Sequence, residues 1–124
     1  LLADVPGVSI QARGRLADWQ GYYALVFLFD LAQYNNVSLD RMAAILNAEG
    51  LGVGKTYGPV YHHMLWSVPK SMYGMAKGGC KVADDMCANS ALVLMHQWLL
   101  SDRSMIEAIA EAIKKVAGAR KTLK

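Results

Sequence analysis

The sequence predicts a small α/β domain of the α+β kind: a mostly antiparallel sheet of about three strands packed with three to four helices, as one unit over residues 1–124. Three observations predict it. Continuous apolar runs rich in aromatic and β-branched residues, which suit buried strands, alternate with segments whose apolar residues recur at helical spacing. Strands interleaved with helices in so short a chain call for a layered sandwich. The length is that of one domain with one hydrophobic core.

Residues 1–4 read as the last turn of a helix stopped by Pro6 and Gly7. Residues 8–11 form a short extended piece, and residues 11–20, with Arg13, Gly14 and Arg15, a polar loop. Residues 22–29, Tyr-Tyr-Ala-Leu-Val-Phe-Leu-Phe, are continuously apolar between Gly21 and Asp30, which suits a central strand buried on both faces. Asn35 and Asn36 mark a turn, Ser38 caps the next helix, and Leu39, Met42, Ala43 and Leu46 follow at helical spacing until Gly50 ends it. Capping also accounts for Ser38 better than the glycosylation sequon Asn36-Val37-Ser38 does. Residues 51–57 read as a second strand loosened by Gly52 and Gly54 and broken by Gly58-Pro59. Residues 60–79 are irregular but carry aromatic residues and methionines, so they read as a packed loop. A short helix is expected over 81–89, and residues 91–99 suit a strand or a helix equally. Ser104 with Glu107 forms a capping box, and Ile106, Ile109, Ala110, Ile113 and Val116 line one face of the final helix.

Composition narrows the function classes. Hydrophobic residues make up 54% and charged residues 19%, against a usual charged fraction of about 25%, which excludes a disordered chain and points to a further face buried against a second domain or subunit. Net charge is +3, and five cations, Lys114, Lys115, Arg120, Lys121 and Lys124, fall in the last eleven residues. Without aromatic residues to stack on bases, they complement a helix dipole rather than form a nucleic-acid surface. The longest stretch free of Asp, Glu, Lys and Arg, residues 86–101, is too short to span a bilayer. Cys80 and Cys87 match no zinc or redox spacing and read as free buried thiols of a cytoplasmic protein.

No self-contained catalytic set emerges. Gly-Leu-Gly-Val-Gly-Lys-Thr, ending at Thr56, resembles a phosphate loop, but the first glycine of that motif falls on Glu49 and the segment follows a helix. His62 and His63 are adjacent and make a poor chelate, and no metal site is expected. Asp84 and Asp85 are neighbours that a helix aims at different faces, so they do not form an acid–base pair. What remains is a Tyr/His/Pro-rich loop over residues 57–66.

The order of segments resembles a known family. Leu-x-x-Val-Pro-Gly-Val at the start is followed by Tyr22-Tyr23-Ala24-Leu25-Val26-Phe27, and then by Ser38-Leu39-Asp40-Arg41-Met42 opening a helix that closes as Ala48-Glu49-Gly50. Next come Gly52-Val53-x-x-x-Tyr57-x-Pro59-Val60-Tyr61, Cys80-Lys81-Val82-Ala83-Asp84 and Leu94-x-His96-x-x-Leu99-Leu100, and the last helix ends in Ala112-Ile113-x-Lys115-Val116. This order resembles the C-terminal small domain of DegT/StrS-type, pyridoxal-phosphate-dependent sugar aminotransferases, a fold-type I family, in the branch of aminohydroxybenzoate synthases and scyllo-inosose aminotransferases. Lys81 stands where members often have Pro, and Thr56 where many place a His.

The resemblance implies a domain that is not catalytic alone. The Schiff-base lysine of such enzymes lies in a Ser-x-His-Lys segment of the large domain, and no such segment occurs here. Pyridoxal phosphate then belongs to the full-length enzyme and not to this chain, and residues 1–7 resemble the junction to a missing large domain. The resemblance places Tyr57, Tyr61 and His62 on the substrate side, with Pro59 shaping the turn; the competing reading of these residues is a packed aromatic loop. The partner implied is the large domain or a second copy in a homodimer. An alternative is a stand-alone remnant that self-associates as a binding or assembly module.

Overall fold

The computed structural model of the chain describes residues 1–63, 67–72, 74 and 79–124, with Lys70 described by its backbone alone. Strands β1 (Val8–Ile10), β2 (Ala24–Phe29), β3 (Val53–Lys55) and β4 (Ala91–Met95) form one antiparallel sheet in the spatial order β1-β2-β4-β3. Helices α1 (Leu39–Ala48), α2 (Lys81–Asn89), the single turn α3 (His96–Leu99) and α4 (Arg103–Gly118) accompany it. The α+β class is the one the sequence predicts. The described sheet has four strands rather than about three, because residues 8–10 pair with β2.

β2 and β4 are the centre, with Val26 opposite Val93 and Phe27 opposite Leu92. Side chains alternate across a strand, so Phe27, Phe29, Leu92 and Leu94 share one face, and all four are buried. Met42 and Leu46 of α1 and Ile109 and Ile113 of α4 join the same core. Val26, Leu28, Val93 and Met95, on the opposite face, are only half-buried. The expected central strand is therefore corrected in two respects: it begins at Ala24, and it is sealed on one face.

Local chemistry explains the connections. Tyr34 is fully buried, stands edge-on to Phe29 at 5.9 Å, and donates its hydroxyl hydrogen to the Pro6 carbonyl at 2.7 Å. Gly7, at φ +67°, lies so close that a Cβ there would stand 2.8 Å from the Tyr34 ring. Asn35 and Asn36 turn the chain with φ of 57° and 54°. Ser38 Oγ accepts from the Arg41 amide at 3.1 Å, as a cap should. At the other end of α1, Leu51 N–H donates to Leu46 O at 3.1 Å and Gly50 N–H to Asn47 O at 3.0 Å, with Gly50 at φ +92°. This pair of bonds is a Schellman ending. The Asn47 side chain then exchanges two hydrogen bonds with the Val53 backbone, at 2.9 and 3.0 Å, which starts β3 as an edge strand.

Four further expectations change. Residues 1–4 make a turn, not a helix, closed by Val5 N–H to Leu2 O at 3.1 Å. β3 is three residues long rather than spanning 51–57, and at Gly52 a side chain would meet the Trp98 indole at 2.9 Å. Residues 91–99 are both of the alternatives in turn, β4 and then α3. The cap of α4 is Asp102, whose carboxylate accepts from the Met105 amide at 3.0 Å, while Ser104 donates its hydroxyl hydrogen to Asp102 and Glu107 pairs with Arg103. Ser104 cannot be the cap because it already lies inside the helix. Its expected face is otherwise as read: Ile109, Ala110, Ile113 and Val116 are buried and Ile106 half-buried. Of the five C-terminal cations, Arg120 donates to the Ala117 carbonyl at 3.0 Å, and Lys115 reaches Glu49 at 2.6 Å. No helix among the described residues is long and apolar enough to cross a membrane.

Leu92→Ala should cost about 2–5 kcal/mol in urea unfolding, and Val93→Ala on the half-covered face clearly less. Asp102→Ala should lower the thermal midpoint more than Ser104→Ala does. The hydroxyl and amide bonds to Asp102 hold its carboxyl below 3.8, so its contribution is present above that pH and is lost as pH falls through the lower folded-state value; thermal melts between neutral and acidic pH check this.

Candidate functional site

The four residues singled out in the sequence, Tyr57, Pro59, Tyr61 and His62, lie on the segment that leaves β3. Gly58, at φ +77°, and extended Pro59 turn this segment into a short 3-10 turn, Val60–His62. The remainder of the expected aromatic loop, residues 64–66, lies outside the described residues.

The structure ties the segment down at two places. Tyr57 is 83% exposed, and its hydroxyl meets that of Tyr23 at 2.9 Å. The shared hydrogen bond raises the Tyr23 phenol above its ordinary value of 10.0. His96 stands beside Tyr23, with ring centroids 6.0 Å apart and Nδ1 3.2 Å from the Tyr23 carbonyl. At the second place, the half-buried Tyr61 donates its hydroxyl hydrogen to Asp84 Oδ1 at 2.7 Å. His62 stacks edge-on against Tyr61 at 4.6 Å and brings Nε2 to 3.8 Å from the same carboxylate oxygen. Partial burial pushes the Tyr61 phenol up to about 12, and the bond to the Asp84 carboxylate adds to the shift.

Between the Tyr23–Tyr57 pair and the half-covered sheet face is an open cleft of about 350 Å³, whose lining does not include Tyr61, His62 or Asp84. Val26, Val93 and Met95 lie along it, and Tyr23, Tyr57 and Gln11 stand at its edge. The Oγ1 of Thr56, also at this cleft, is buried and lacks a hydrogen-bond partner among the described residues. A cleft with an apolar floor and phenolic hydroxyls can hold one face of a ring and exchange hydrogen bonds with its hydroxyl groups.

Sequence reasoning missed three members of this region. Tyr23 was assigned to the buried strand, yet it lies one residue before β2 and is 65% exposed. His96 is 73 positions from Tyr23 in the sequence, but the pairing of β2 with β4 brings the two together. Asp84 was considered only with Asp85; the two do diverge, since Asp85 accepts from Asn89 at 2.7 Å while Asp84 turns to Tyr61. Adjacency in the sequence carried no signal for these pairings, which join residues 23 to 73 positions apart.

The other motifs resolve simply. Residues 53–55 are paired with β4, and Lys55 is engaged by Asp40 at 3.0 Å, so the glycine-rich stretch is an edge strand and not a phosphate loop. Both cysteines are free, but Cys80 is exposed and Cys87 half-buried, which corrects the expectation of buried thiols. Cys80 is exposed because it caps α2 from outside the core. Among the described residues, no group of three His, Cys, Asp or Glu side chains is arranged to hold a metal ion. No protein-family model matches the chain, and no curated protein matches it at a significant level.

Asp84→Asn should lower the Tyr61 titration midpoint from about 12 while burial, the larger cause, keeps it raised, because the carboxylate disfavours the phenolate both by its hydrogen bond and by its charge. Ultraviolet titration of this variant beside Tyr61→Phe reads the shift.

Proposed function

We propose that the chain is the small domain of a pyridoxal-phosphate-dependent sugar or cyclitol aminotransferase of DegT/StrS type. In this reading it closes the substrate side of an active site whose cofactor is held by a large domain. The observation that carries the reading is the exposure of the loop after β3. Tyr57 is 83% exposed although its hydroxyl is held by Tyr23, and Tyr61 further along the segment is held by Asp84. A packed aromatic loop would bury that ring; a loop held outward suits a surface that meets a ligand. The order of the family-like segments supports the same reading, since they fall on β2, α1, β3, α2, β4 and α4 in turn.

On this reading no lysine of the chain holds the cofactor covalently. The amines of Lys55, Lys114 and Lys115 are held in ion pairs with Asp40, Glu111 and Glu49, and there is no buried charged group among the described residues. A Schiff-base lysine needs an enclosed amine facing the cofactor aldehyde. On this reading the chain orients hydroxyl groups of the substrate and sheds water from one side of it, and the amino transfer itself depends on the other domain. Free thiols suit the reducing cytoplasm that the reading implies. The alternative of a self-associating module is favoured by a separate observation, the exposure of Leu16 and Trp19.

With excess pyridoxal phosphate the chain alone should give no lysine-dependent absorbance near about 420 nm. A band that survives dialysis and vanishes on substitution of one lysine contradicts the proposal. Joined to a cofactor-holding large domain of this class, the chain should support amino transfer to a keto cyclitol, with Tyr57→Phe lowering kcat/KM about five- to tenfold. A folded, cofactor-loaded fusion indifferent to Tyr57→Phe contradicts the role given to the loop.

A further inference from the structure

Two phenols from distant parts of the chain meet at the surface. The hydroxyls of Tyr23 and Tyr57 stand 2.9 Å apart, although 34 positions separate the residues in the sequence. Tyr23 stands directly before β2 and Tyr57 shortly after β3, and both line the cleft floored by Val26 and Val93. Both side chains are exposed, so a bulky oxidant reaches them and their rings turn freely about the side-chain bonds.

A phenol gives up one electron and one proton to a strong oxidant, and the unpaired electron spreads to the ring carbons ortho to the oxygen. Each ortho carbon is bonded to the carbon that carries the hydroxyl. Hydroxyls in hydrogen-bond contact therefore keep the ortho carbons of the two rings within a short side-chain rotation of each other. Contact within one chain corresponds to an effective concentration on the order of millimolar or more, so coupling inside the chain outruns coupling between micromolar copies. The other described tyrosines are placed less favourably. Tyr34 is fully buried with its hydroxyl held by the Pro6 carbonyl, Tyr61 is half-buried and bonded to Asp84, and Tyr22 is half-buried. Tyr73 lies outside the described residues.

We propose that Tyr23 and Tyr57 form a site of oxidative cross-linking, which a haem peroxidase with hydrogen peroxide converts to a dityrosine within one chain. Each phenol loses one electron and one proton, and a carbon–carbon bond forms between the two ortho carbons. The hydrogens displaced from these carbons move to the oxygens and restore both phenols. The two electrons and two protons released reduce one hydrogen peroxide to two waters. The new bond staples the segment that leaves β3 to the start of β2, at the edge of the cleft, in place of a single exposed hydrogen bond. The inference goes beyond the aminotransferase reading and does not depend on it.

Treatment of the 124-residue chain, at micromolar concentration, with a haem peroxidase and an equimolar amount of hydrogen peroxide tests the proposal. The monomer should gain dityrosine fluorescence, its intact mass should fall by two hydrogens, and digestion should yield a peptide pair joined through Tyr23 and Tyr57. Tyr23→Phe and Tyr57→Phe each remove only the hydroxyl of an exposed side chain, so circular dichroism should be unchanged while the fluorescence of the monomer falls at least about tenfold. Tyr61→Phe should leave that fluorescence in place. A monomer that gains no dityrosine, dityrosine formed chiefly between copies or through other tyrosines, or a yield indifferent to Tyr57→Phe would each overturn the proposal.

Discussion

The pairing of β2 with β4 is the constraint on which the rest of the molecule depends. Five residue pairs, from Ala24 with Met95 to Leu28 with Ala91, join segments more than sixty positions apart. This register puts Phe27 beside Leu92 and Leu25 beside Leu94, and so creates the apolar face that α1 and α4 cover. A slip of one residue would turn these side chains to the other face and leave both helices without a core. The same pairing sets His96 beside Tyr23 and carries β3, and with it the segment of Tyr57, to the sheet edge. Core and candidate site therefore follow from one registration of two strands.

Elements whose signal is local were legible in the sequence. Ser38 as a cap, Gly50 as a helix stop and the Asn35-Asn36 turn rest on contacts within a few residues, the apolar face of α4 shows in the spacing of its own residues, and each stands where it was read. Signals that depend on the surroundings misled. The run at residues 22–29 looks buried on both faces because Val26 and Leu28 are apolar, yet the core helices α1 and α4 pack on the face of Phe27 and Phe29, and among the described residues Val26 and Leu28 are only half-buried. Ser104 and Glu107 have capping-box spacing, but Asp102, two residues earlier, takes the position with a stronger acceptor. At the candidate site the sequence identified Tyr57, Tyr61 and His62 as a group, but not that Tyr23 and Asp84 hold them as two separate clusters.

The apolar excess of the composition has an identifiable place in the structure. One sheet face and the inner faces of α1 and α4 consume the aliphatic residues of the core. The surplus lies outside it, on the half-covered sheet face beneath Tyr23 and Tyr57 and on Leu16 and Trp19 of the loop after β1. Neither region resembles the charged, mixed surface of a domain that works in isolation. On the proposed reading, a lid over a second domain would use the first region.

The size and sequence of the natural gene product test the central claim most directly. Intact mass of the native protein, read with its upstream reading frame, gives both. The account predicts a chain roughly 250 residues longer, the size usual for a cofactor-binding α/β unit, carrying a Ser-x-His-Lys segment upstream of Leu1. A native protein that begins close to Leu1, with no such segment, would contradict the account.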